Sequence, residues 1–246
     1  MKAKTGGTRR AEAKEDTPGR GQGGDTRTRL ILAAERLFGE RGIHAVTLKE
    51  INAAAGQRNE SALHYHFGSK HALVEAILLY RVRIVDARRV ELLDALLARD
   101  GKPGLLAIVH VAFGPMIELL ETQEGVRFVR FLAQVLNDPD LDLPSLVLGS
   151  GFEGIARTNA LVVSALVDLP PGIAIQRQRF LIEMTVNSLA IWTRQHDAVR
   201  ERDARALFIA NLFDSIVGFL SAPVSAETLA ALKKVPGAAK RKERKQ

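Results

Sequence analysis

The chain has 246 residues, a formal net charge of +7, no cysteine and a hydrophobic content of 46%. This length and composition allow a substantial folded core and exclude disulfide bonds, thiolate metal sites and wholesale disorder. Residues 1–24 contain no apolar stretch typical of a secretory signal, and no run approaches the roughly 20 apolar residues of a membrane-spanning helix. We therefore expect a cytoplasmic protein without a membrane partner.

The basic charge is unevenly distributed along the chain. Both ends lack hydrophobic periodicity, which predicts disordered basic tails at 1–24 and 223–246. A basic segment beside a mildly acidic body is typical of a DNA-binding unit attached to a larger domain. The alternative for the tails is a general role in solubility. The net charges of successive segments are +2 for 1–25, +3 for 26–70, −3 for 71–220 and +5 for 221–246.

The first predicted elements are two helices close to the N-terminal end. Asp25 is a candidate N-cap for a helix over 26–40, since its carboxylate can accept the free amides of the first turn. Thr47 and Glu50 have the spacing of a capping box at the start of a second, short helix. Gly56 then provides a turn.

Residues 47–70 together have the layout of a helix-turn-helix. A short amphipathic helix is followed by the glycine turn and by a second short helix rich in hydrogen-bonding side chains. This layout presents polar side chains to a DNA groove from a packed base.

Longer helices are predicted in the rest of the chain. Ser69 can cap a helix that runs to about residue 98, because its apolar residues recur at spacings of three and four. The last predicted helix is apolar on several faces, and a second copy of the chain is the natural cover for them. Breaks rich in proline and glycine separate the other predicted helices from one another. These helices are predicted at about 104–121, 124–136, 144–167, 172–196 and 202–220.

Residues 26–75 resemble the DNA-binding region of the tetracycline-repressor (TetR) family of bacterial transcriptional regulators. Between Gly56 and Phe67 this chain has ten residues, whereas the family pattern has nine, so the start of the second short helix is shifted. The residues that match the family pattern are Ile31, Leu32, Ala33, Ala34, Leu37, Phe38, Thr47, Ile51, Ala55, Gly56, Leu63, His66, Phe67 and Lys70.

The resemblance implies an all-α protein of two domains. A three-helix helix-turn-helix DNA-binding domain is expected at 25–70, and a larger helical ligand-binding and dimerisation domain at 71–222. The implied function is that of a homodimeric repressor, cytoplasmic and nucleoid-associated, that a small apolar or amphipathic effector releases from a pseudo-palindromic double-stranded operator. The alternative is a sequence-tolerant architectural DNA-binding protein driven by its basic tails.

Three candidate residues are predicted to contact DNA phosphates. Thr47 and Lys70 stand at helix N-termini, where free amides and a positive charge favour an anion. Tyr65 offers a phenol hydroxyl at the same level. Such contacts position the duplex without reading its sequence.

The segment between Gly56 and Phe67 supplies the predicted base-reading side chains. Arginine suits the acceptors of guanine, and asparagine suits the donor and acceptor of adenine. Glu60 could accept from cytosine or pair with Arg58. Ala62 could contact a thymine methyl group. The predicted set is Arg58, Asn59, Ser61, Ala62, His64 and His66.

Candidate effector-binding residues are apolar, with a few polar groups among them, as is typical of ligand pockets. The alternative for each is an ordinary place in the core. Arg157 and Arg177 could hold an anionic ligand or lie at the surface. The candidate pocket residues are His110, Phe113, Met116, Phe128, Phe131, Phe152, Met184, Asn187 and Trp192.

No catalytic constellation, cofactor site or metal site is predicted, so we do not expect an enzyme. Residues 149–154 satisfy G-x-G-x-x-G, but no alternation of strands and helices surrounds them as a dinucleotide site requires. His64 and His66 are two residues apart, which places them on different faces of a helix.

Overall fold

The helices begin and end close to the positions predicted from the sequence. The computed structural model describes residues 20–57, 59 and 61–235, and every regular element within these ranges is helical. The predicted all-α fold class is therefore confirmed. In chain order the helices are α1 (Arg20–Arg41), α2 (Leu48–Ala54), α3 (Ala62–Phe67), α4 (Lys70–Arg99), α5 (Leu105–Glu118), a 3-10 turn (Leu119–Glu121), α6 (Gln123–Leu136), α7 (Leu143–Gly149), α8 (Glu153–Ala165), α9 (Pro171–Gln195), α10 (Arg202–Ser221) and α11 (Ala226–Leu232).

Helical structure extends into both predicted tails. Helix α1 begins at Arg20, inside the segment 1–24, and α11 lies inside the segment 223–246. The prediction of disorder is therefore wrong for these helical residues. The other parts of the predicted tails, 1–19 and 236–246, lie outside the described residues.

The predicted helix caps are correct in two cases and wrong in one. Thr47 and Glu50 form the reciprocal capping box of α2, and the Ser69 hydroxyl accepts the Ala72 amide at 3.0 Å at the start of α4. Asp25, in contrast, lies inside α1 and is not its N-cap.

The helix predicted at 144–167 is divided into α7 and α8. Gly151 between them has φ +67°, a left-handed conformation that side-chain-bearing residues rarely adopt. The carboxylate of Asp86 on α4 accepts the amides of Gly154 at 2.9 Å and Ile155 at 2.7 Å. A side chain distant in sequence thus caps the N-terminus of α8.

Asp86 also belongs to a buried ion pair that joins three helices. Arg89, one turn further along α4, donates to Asp86 at 2.7 Å and to the carbonyl of Ala112 on α5 at 3.0 Å. A Cβ at Gly154 would lie 2.7 Å from an Asp86 carboxylate oxygen. The glycine-rich segment 149–154 is therefore part of a close interhelical junction.

Helix α4 connects the helix-turn-helix unit, which we define as α1–α3, to the rest of the fold. It has 30 residues, about 45 Å at 1.5 Å per residue. Its beginning packs on α1 and α3, and its later part packs on α5 and α8. Arg81 on α4 makes two hydrogen bonds to the buried Glu35 of α1, at 2.6 and 2.7 Å. This pair fixes the direction of α4 relative to the helix-turn-helix unit.

Helix α6 forms a second connection to α1. Gln134 accepts the Ile43 amide at 2.9 Å and donates to the Phe38 carbonyl at 3.0 Å, so it satisfies backbone groups at and just beyond the end of α1. The helices approach closely at Gly39, where a Cβ would lie 2.5 Å from the Arg127 carbonyl oxygen. A displacement of α6 would therefore also displace the end of α1.

Helix α10 is the one helix in the described ranges whose length and apolar composition would allow it to cross a membrane. This corrects the expectation that no segment meets that criterion. Only 22% of its most apolar window is buried within the chain. Much of the apolar surface of α10 is therefore exposed to solvent in a single copy of this protein.

Candidate nucleic-acid interface

Helix α3 is short, anchored on one side and exposed on the other. Leu63 is fully buried in the core shared with α1 and α2, so it fixes the rotation of α3 about its axis. Ser61, His64 and Tyr65 are exposed, and Tyr65 retains 85% of its accessible surface. Ala62 and His66 are partly buried. The exposed side chains form one surface, which we call the α3 face, defined by Ser61, His64 and Tyr65.

The turn before α3 is organised by Asn59. The side-chain oxygen of Asn59 accepts the Ser61 amide at 2.9 Å, and its carbonyl accepts the Ala62 amide at 3.1 Å. This local arrangement is typical of asparagine in turns. It compensates for Ser61, which precedes α3 but makes no side-chain cap hydrogen bond.

Asn59 therefore has a structural role that its sequence pattern did not indicate. Bidentate recognition of adenine uses both the oxygen and the nitrogen of the amide, and the oxygen is engaged with Ser61. Arg58, the predicted guanine reader, and Glu60 lie outside the described residues.

Thr47 is exposed at the N-terminus of α2, but its hydroxyl is occupied. The hydroxyl donates to the Glu50 carboxylate at 2.7 Å and accepts the Glu50 amide at 3.3 Å. Hydrogen bonds from the Thr47 backbone, then from its side chain and from Arg41, lower the pKa of Glu50 to about 2. A phosphate contact by the Thr47 hydroxyl requires this capping box to open.

Lys70 is a positioning residue in this structure. Its Nζ donates to the Val46 carbonyl at 2.7 Å and lies 5.7 Å from the centre of the Phe38 ring. Burial lowers the pKa of Lys70, although the charge of Glu50 opposes that effect. The sequence predicted a freely available cation at this helix start, whereas the structure ties the ammonium group to the segment between α1 and α2.

Arg27 is a candidate contact that the sequence analysis missed. Its guanidinium carbon lies 5.1 Å from the centre of the Phe67 ring at the end of α3, and the side chain is exposed. An exposed cation beside the second helix of a helix-turn-helix is well placed for a phosphate. The sequence feature that could have identified Arg27 is its place in the basic segment, just before the apolar stripe of the first helix.

Comparison with known proteins places this helix-turn-helix in a family. Residues 30–77 match the family model described as bacterial regulatory proteins, tetR family. These residues span most of α1, all of α2 and α3 and the start of α4, so the helix-turn-helix unit is similar to that of tetR-family regulators.

Two curated transcriptional regulators are similar to a part of this chain. The HTH-type transcriptional regulator UidR of Escherichia coli K12 is 32% identical over 114 residues, which cover 46% of this chain and 58% of UidR. The HTH-type transcriptional repressor KstR2 of Rhodococcus jostii is 42% identical over 64 residues, which cover 26% of this chain and 29% of KstR2. The chain thus spans a little over half the length of UidR.

Solved structures of tetR-family proteins share the fold over most of the chain. SCO4454 of Streptomyces coelicolor has a TM-score of 0.51 and 21% identity, covering 80% of this chain and 95% of that protein. The ketosteroid transcriptional regulator KstR2 of Mycobacterium tuberculosis has a TM-score of 0.51 and 21% identity, covering 78% and 93%. At these identities the likeness concerns the fold alone.

The predicted effector residues are distributed through helices α5, α6 and α9 and the start of α8. Phe128 and Phe131 are buried against each other, and Phe131 stacks on Phe38 of α1, so both belong to the junction of α1 and α6. Phe113 and Met116 are buried, and Phe152 and Met184 are partly buried. The remaining three make polar or ring contacts: His110 with Phe213, Asn187 with Asn137 and Trp192 with Phe208.

Two surface clefts can be described in the folded part of the chain, residues 20–57, 59 and 61–235, and none of the nine predicted pocket residues lines either of them. One, of about 300 Å³, lies between α1, α2, α4 and α6 beside the Glu35–Arg81 pair. The other, of about 360 Å³, lies between α6 and the end of α9.

The two arginines considered for an anionic ligand have structural partners. Arg157 pairs with Asp94 at 2.6 Å and Glu153 at 3.0 Å. Arg177 donates to the carbonyls of Leu220 at 2.8 Å and Ala222 at 2.6 Å, at the end of α10.

Proposed function

We propose that this chain is a sequence-specific DNA-binding transcriptional regulator of the tetR family and acts as a homodimeric repressor. The observation that carries the proposal is the α3 face, because it presents Ser61, His64 and Tyr65 to solvent on a helix whose opposite side is fixed by buried Leu63. A rigid short helix with an exposed polar surface suits entry into the major groove. Among the residues that the structure describes, no comparable feature suggests catalysis, and we propose a non-enzymatic role.

We divide the proposed roles among the exposed residues by their chemistry. His64 and Ser61 would contact base edges, together with Arg58. Tyr65 and Arg27 would contact phosphates and fix the orientation of α3 in the groove. Asn59 would act chiefly by holding the turn, since its side-chain oxygen already accepts the Ser61 amide.

The proposed dimer interface is formed by α9 and α10. Exposed apolar side chains lie on both helices, with Ile175 at 65% and Ile191 at 53% on α9 and Leu207 at 73% on α10. Large exposed apolar side chains on two helices that pack on each other favour a contact that covers them. A second copy would cover it in a closed two-fold arrangement and would place two α3 faces on a pseudo-palindromic operator. A repressor of this kind acts in the cytoplasm, at the nucleoid.

The dimer is tested by light scattering of the full chain after size-exclusion chromatography. We expect a dimer for the wild type and a shift towards monomer for Leu207→Glu. The matched control is Leu32→Glu, because Leu32 is an exposed leucine on α1, a helix that packs on α2, α4 and α6. A Leu207→Glu variant that remains a dimer would contradict the α9–α10 interface.

Effector release is proposed to operate through the body domain at 71–222. Helix α4 carries Arg81 and α6 carries Gln134, and both side chains hold α1 of the proposed DNA-binding domain at 25–70. A small molecule that displaces α4 or α6 would therefore change the separation of the two α3 faces in a dimer. A hundredfold loss of operator affinity requires about 2.7 kcal/mol of coupling between the two sites.

The function is tested by sequencing genomic DNA fragments captured by the purified full-length protein at physiological salt. A shared palindromic motif is the expected result. Diffuse capture that disappears steeply with rising salt would contradict sequence-specific regulation and would favour binding through the basic tails.

A further inference from the structure

We infer that the cleft between α6 and the end of α9 binds a small organic anion through Arg130 and Arg194. We call it the Arg130 cleft. It has a volume of about 360 Å³, within the range of roughly 300–1,000 Å³ typical of small-molecule sites. Its principal lining residues are Gln123, Arg130, Thr193, Arg194, His196 and Asp197.

Arg130 is held in place without a carboxylate partner. Its Nε donates to the Thr193 hydroxyl at 3.4 Å, and its Nη2 donates to the Thr193 carbonyl. Thr193 is itself fully buried. Within the described ranges no carboxylate lies within ion-pair distance of Arg130, and none of the hydrogen bonds found there uses its Nη1. Burial first, and the positive charge of Arg194 second, lower the pKa of Arg130.

Three other buried or partly buried arginines have carboxylate partners, whereas Arg177, like Arg130, donates to backbone carbonyls. Arg81 faces Glu35 at 2.6 Å, Arg89 faces Asp86 at 2.7 Å, and Arg205 faces Glu121 at 3.7 Å. Two neighbouring arginines without such a partner favour an anion, and a guanidinium group suits the paired oxygens of a carboxylate or a phosphate.

The acidic residues near the Arg130 cleft are engaged by their own partners. Asp197 accepts the amides of Val199 at 3.2 Å and Arg200 at 3.3 Å, and it pairs with the Arg200 side chain at 3.5 Å. Glu201 lies 2.7 Å from His196. These contacts leave the charges of Arg130 and Arg194 without a dedicated counter-ion.

The position of Arg130 on α6 links this site to DNA binding. Gln134, one turn further along the same helix, holds the Phe38 carbonyl and the Ile43 amide at the end of α1. An anion that pulls Arg130 towards Arg194 would act on the helix that supports the helix-turn-helix unit. This regulatory consequence rests on the proposed function, whereas the anion site itself does not.

Binding can be measured directly because the chain has a single tryptophan. Trp192 stacks on His196, a cleft residue, with ring centres 4.8 Å apart. We would titrate the full-length protein with citrate and, separately, with inorganic phosphate, and follow tryptophan fluorescence at constant ionic strength against sodium chloride. A saturable change with citrate would assign a carboxylate ligand, and one with phosphate a phosphorylated ligand.

The variants identify the site of any response. Arg130→Gln is expected to weaken binding by about tenfold or more, because hydrogen bonds to charged groups are strong. Arg194→Gln, at an exposed position, provides a second test should Arg130→Gln fold poorly. Arg99→Gln is the matched control, since Arg99 is exposed and its ion-pair partner in the described part of the chain is the adjacent Asp100. An unchanged affinity in the Arg194→Gln variant, or no saturable response to either anion, would overturn the anion site.

The regulatory link is measured separately, on the captured operator. We expect the anion that gives the fluorescence response to lower operator affinity in the wild type and to have much less effect in Arg194→Gln. Anion binding with unchanged operator affinity would overturn the link through α6. Absence of any operator would instead count against the proposed function, while the fluorescence result would stand.

Discussion

The buried ion pair between α1 and α4 gives the sharpest stability prediction. Glu35 retains 3% of its side-chain exposure and Arg81 retains 13%, and two hydrogen bonds of 2.6 and 2.7 Å join them. Burial alone lowers the pKa of Arg81, but the hydrogen bonds and charge of Glu35 raise it overall. Arg81→Met keeps an apolar side chain of comparable length and removes the charge, so Glu35 would be left without its main partner.

The expected effect follows from the cost of an uncompensated buried charge. Removal of one partner from a buried pair destabilises a protein by about 3–5 kcal/mol. At a slope of roughly 2–3 kcal/mol per molar urea, the unfolding midpoint should fall by about 1–2.5 M. Glu35→Leu combined with Arg81→Met should recover most of this loss, because replacement of both charges by apolar groups is often near neutral.

The assay is urea unfolding followed by circular dichroism at a fixed protein concentration, since a dimer's midpoint depends on concentration. The matched control is Arg88→Met. Arg88 lies two turns further along α4 and pairs with Glu91 and Glu118, but both pairs are solvent-exposed. We expect no resolvable change for this control. An Arg81→Met midpoint as high as that of Arg88→Met would refute the assigned role of the buried pair.

Two further predictions concern the helix-turn-helix unit. The pKa of Glu50 is lowered from 4.5 to about 2. The ionised Glu50 carboxylate therefore stabilises the folded protein above about pH 4.5, and this contribution is lost as the pH falls towards 2. Glu50→Gln should therefore melt below the wild type at pH 7, with the difference closing across that window; a constant difference would contradict the capping-box assignment. Gly39→Ala should lower the free energy of unfolding by about 1–3 kcal/mol through overpacking against Arg127. The control Gly114→Ala, whose Cβ would meet its nearest neighbour at 3.8 Å, should be neutral or stabilising, and equal effects of the two would contradict the close approach of α1 and α6.

Much of the fold could be predicted because the information is local. Apolar residues at helical spacing and side chains such as Thr47 and Ser69 act within one or two turns, so most long helices start and end near the predicted residues. The division of the helix predicted at 144–167 was missed for the opposite reason. The cap of α8 comes from Asp86, 68 residues earlier in the chain.

The candidate site was predicted in its position but not in all its roles. Exposed His64 and Tyr65 lie where the helix-turn-helix pattern indicated. Lys70 has the chemistry of a phosphate contact, but its partner is the Val46 carbonyl 24 residues away, which only the tertiary structure reveals. Asn59 likewise has the chemistry of an adenine reader and the geometry of a turn residue.

Sequence could not identify a ligand site because apolar side chains are alike in a pocket and in a core. Phe128 and Phe131 satisfy the composition of a pocket and lie in the junction of α1 and α6. Arg130 gave no signal, since its distinguishing property is the lack of a nearby carboxylate within the described part of the chain. That property depends on packing and not on residue type.

The most direct test of the central claim compares specificity between variants of the α3 face. Fluorescence anisotropy would give the affinities for the captured palindrome and for a scrambled duplex at the same salt concentration, for wild type, His64→Ala, Tyr65→Phe and the surface control Arg99→Gln. We predict that His64→Ala lowers the ratio of the two affinities, whereas Tyr65→Phe weakens both duplexes alike and Arg99→Gln changes neither. An unchanged ratio in His64→Ala, together with unchanged affinities in Tyr65→Phe, would contradict sequence reading by the α3 face.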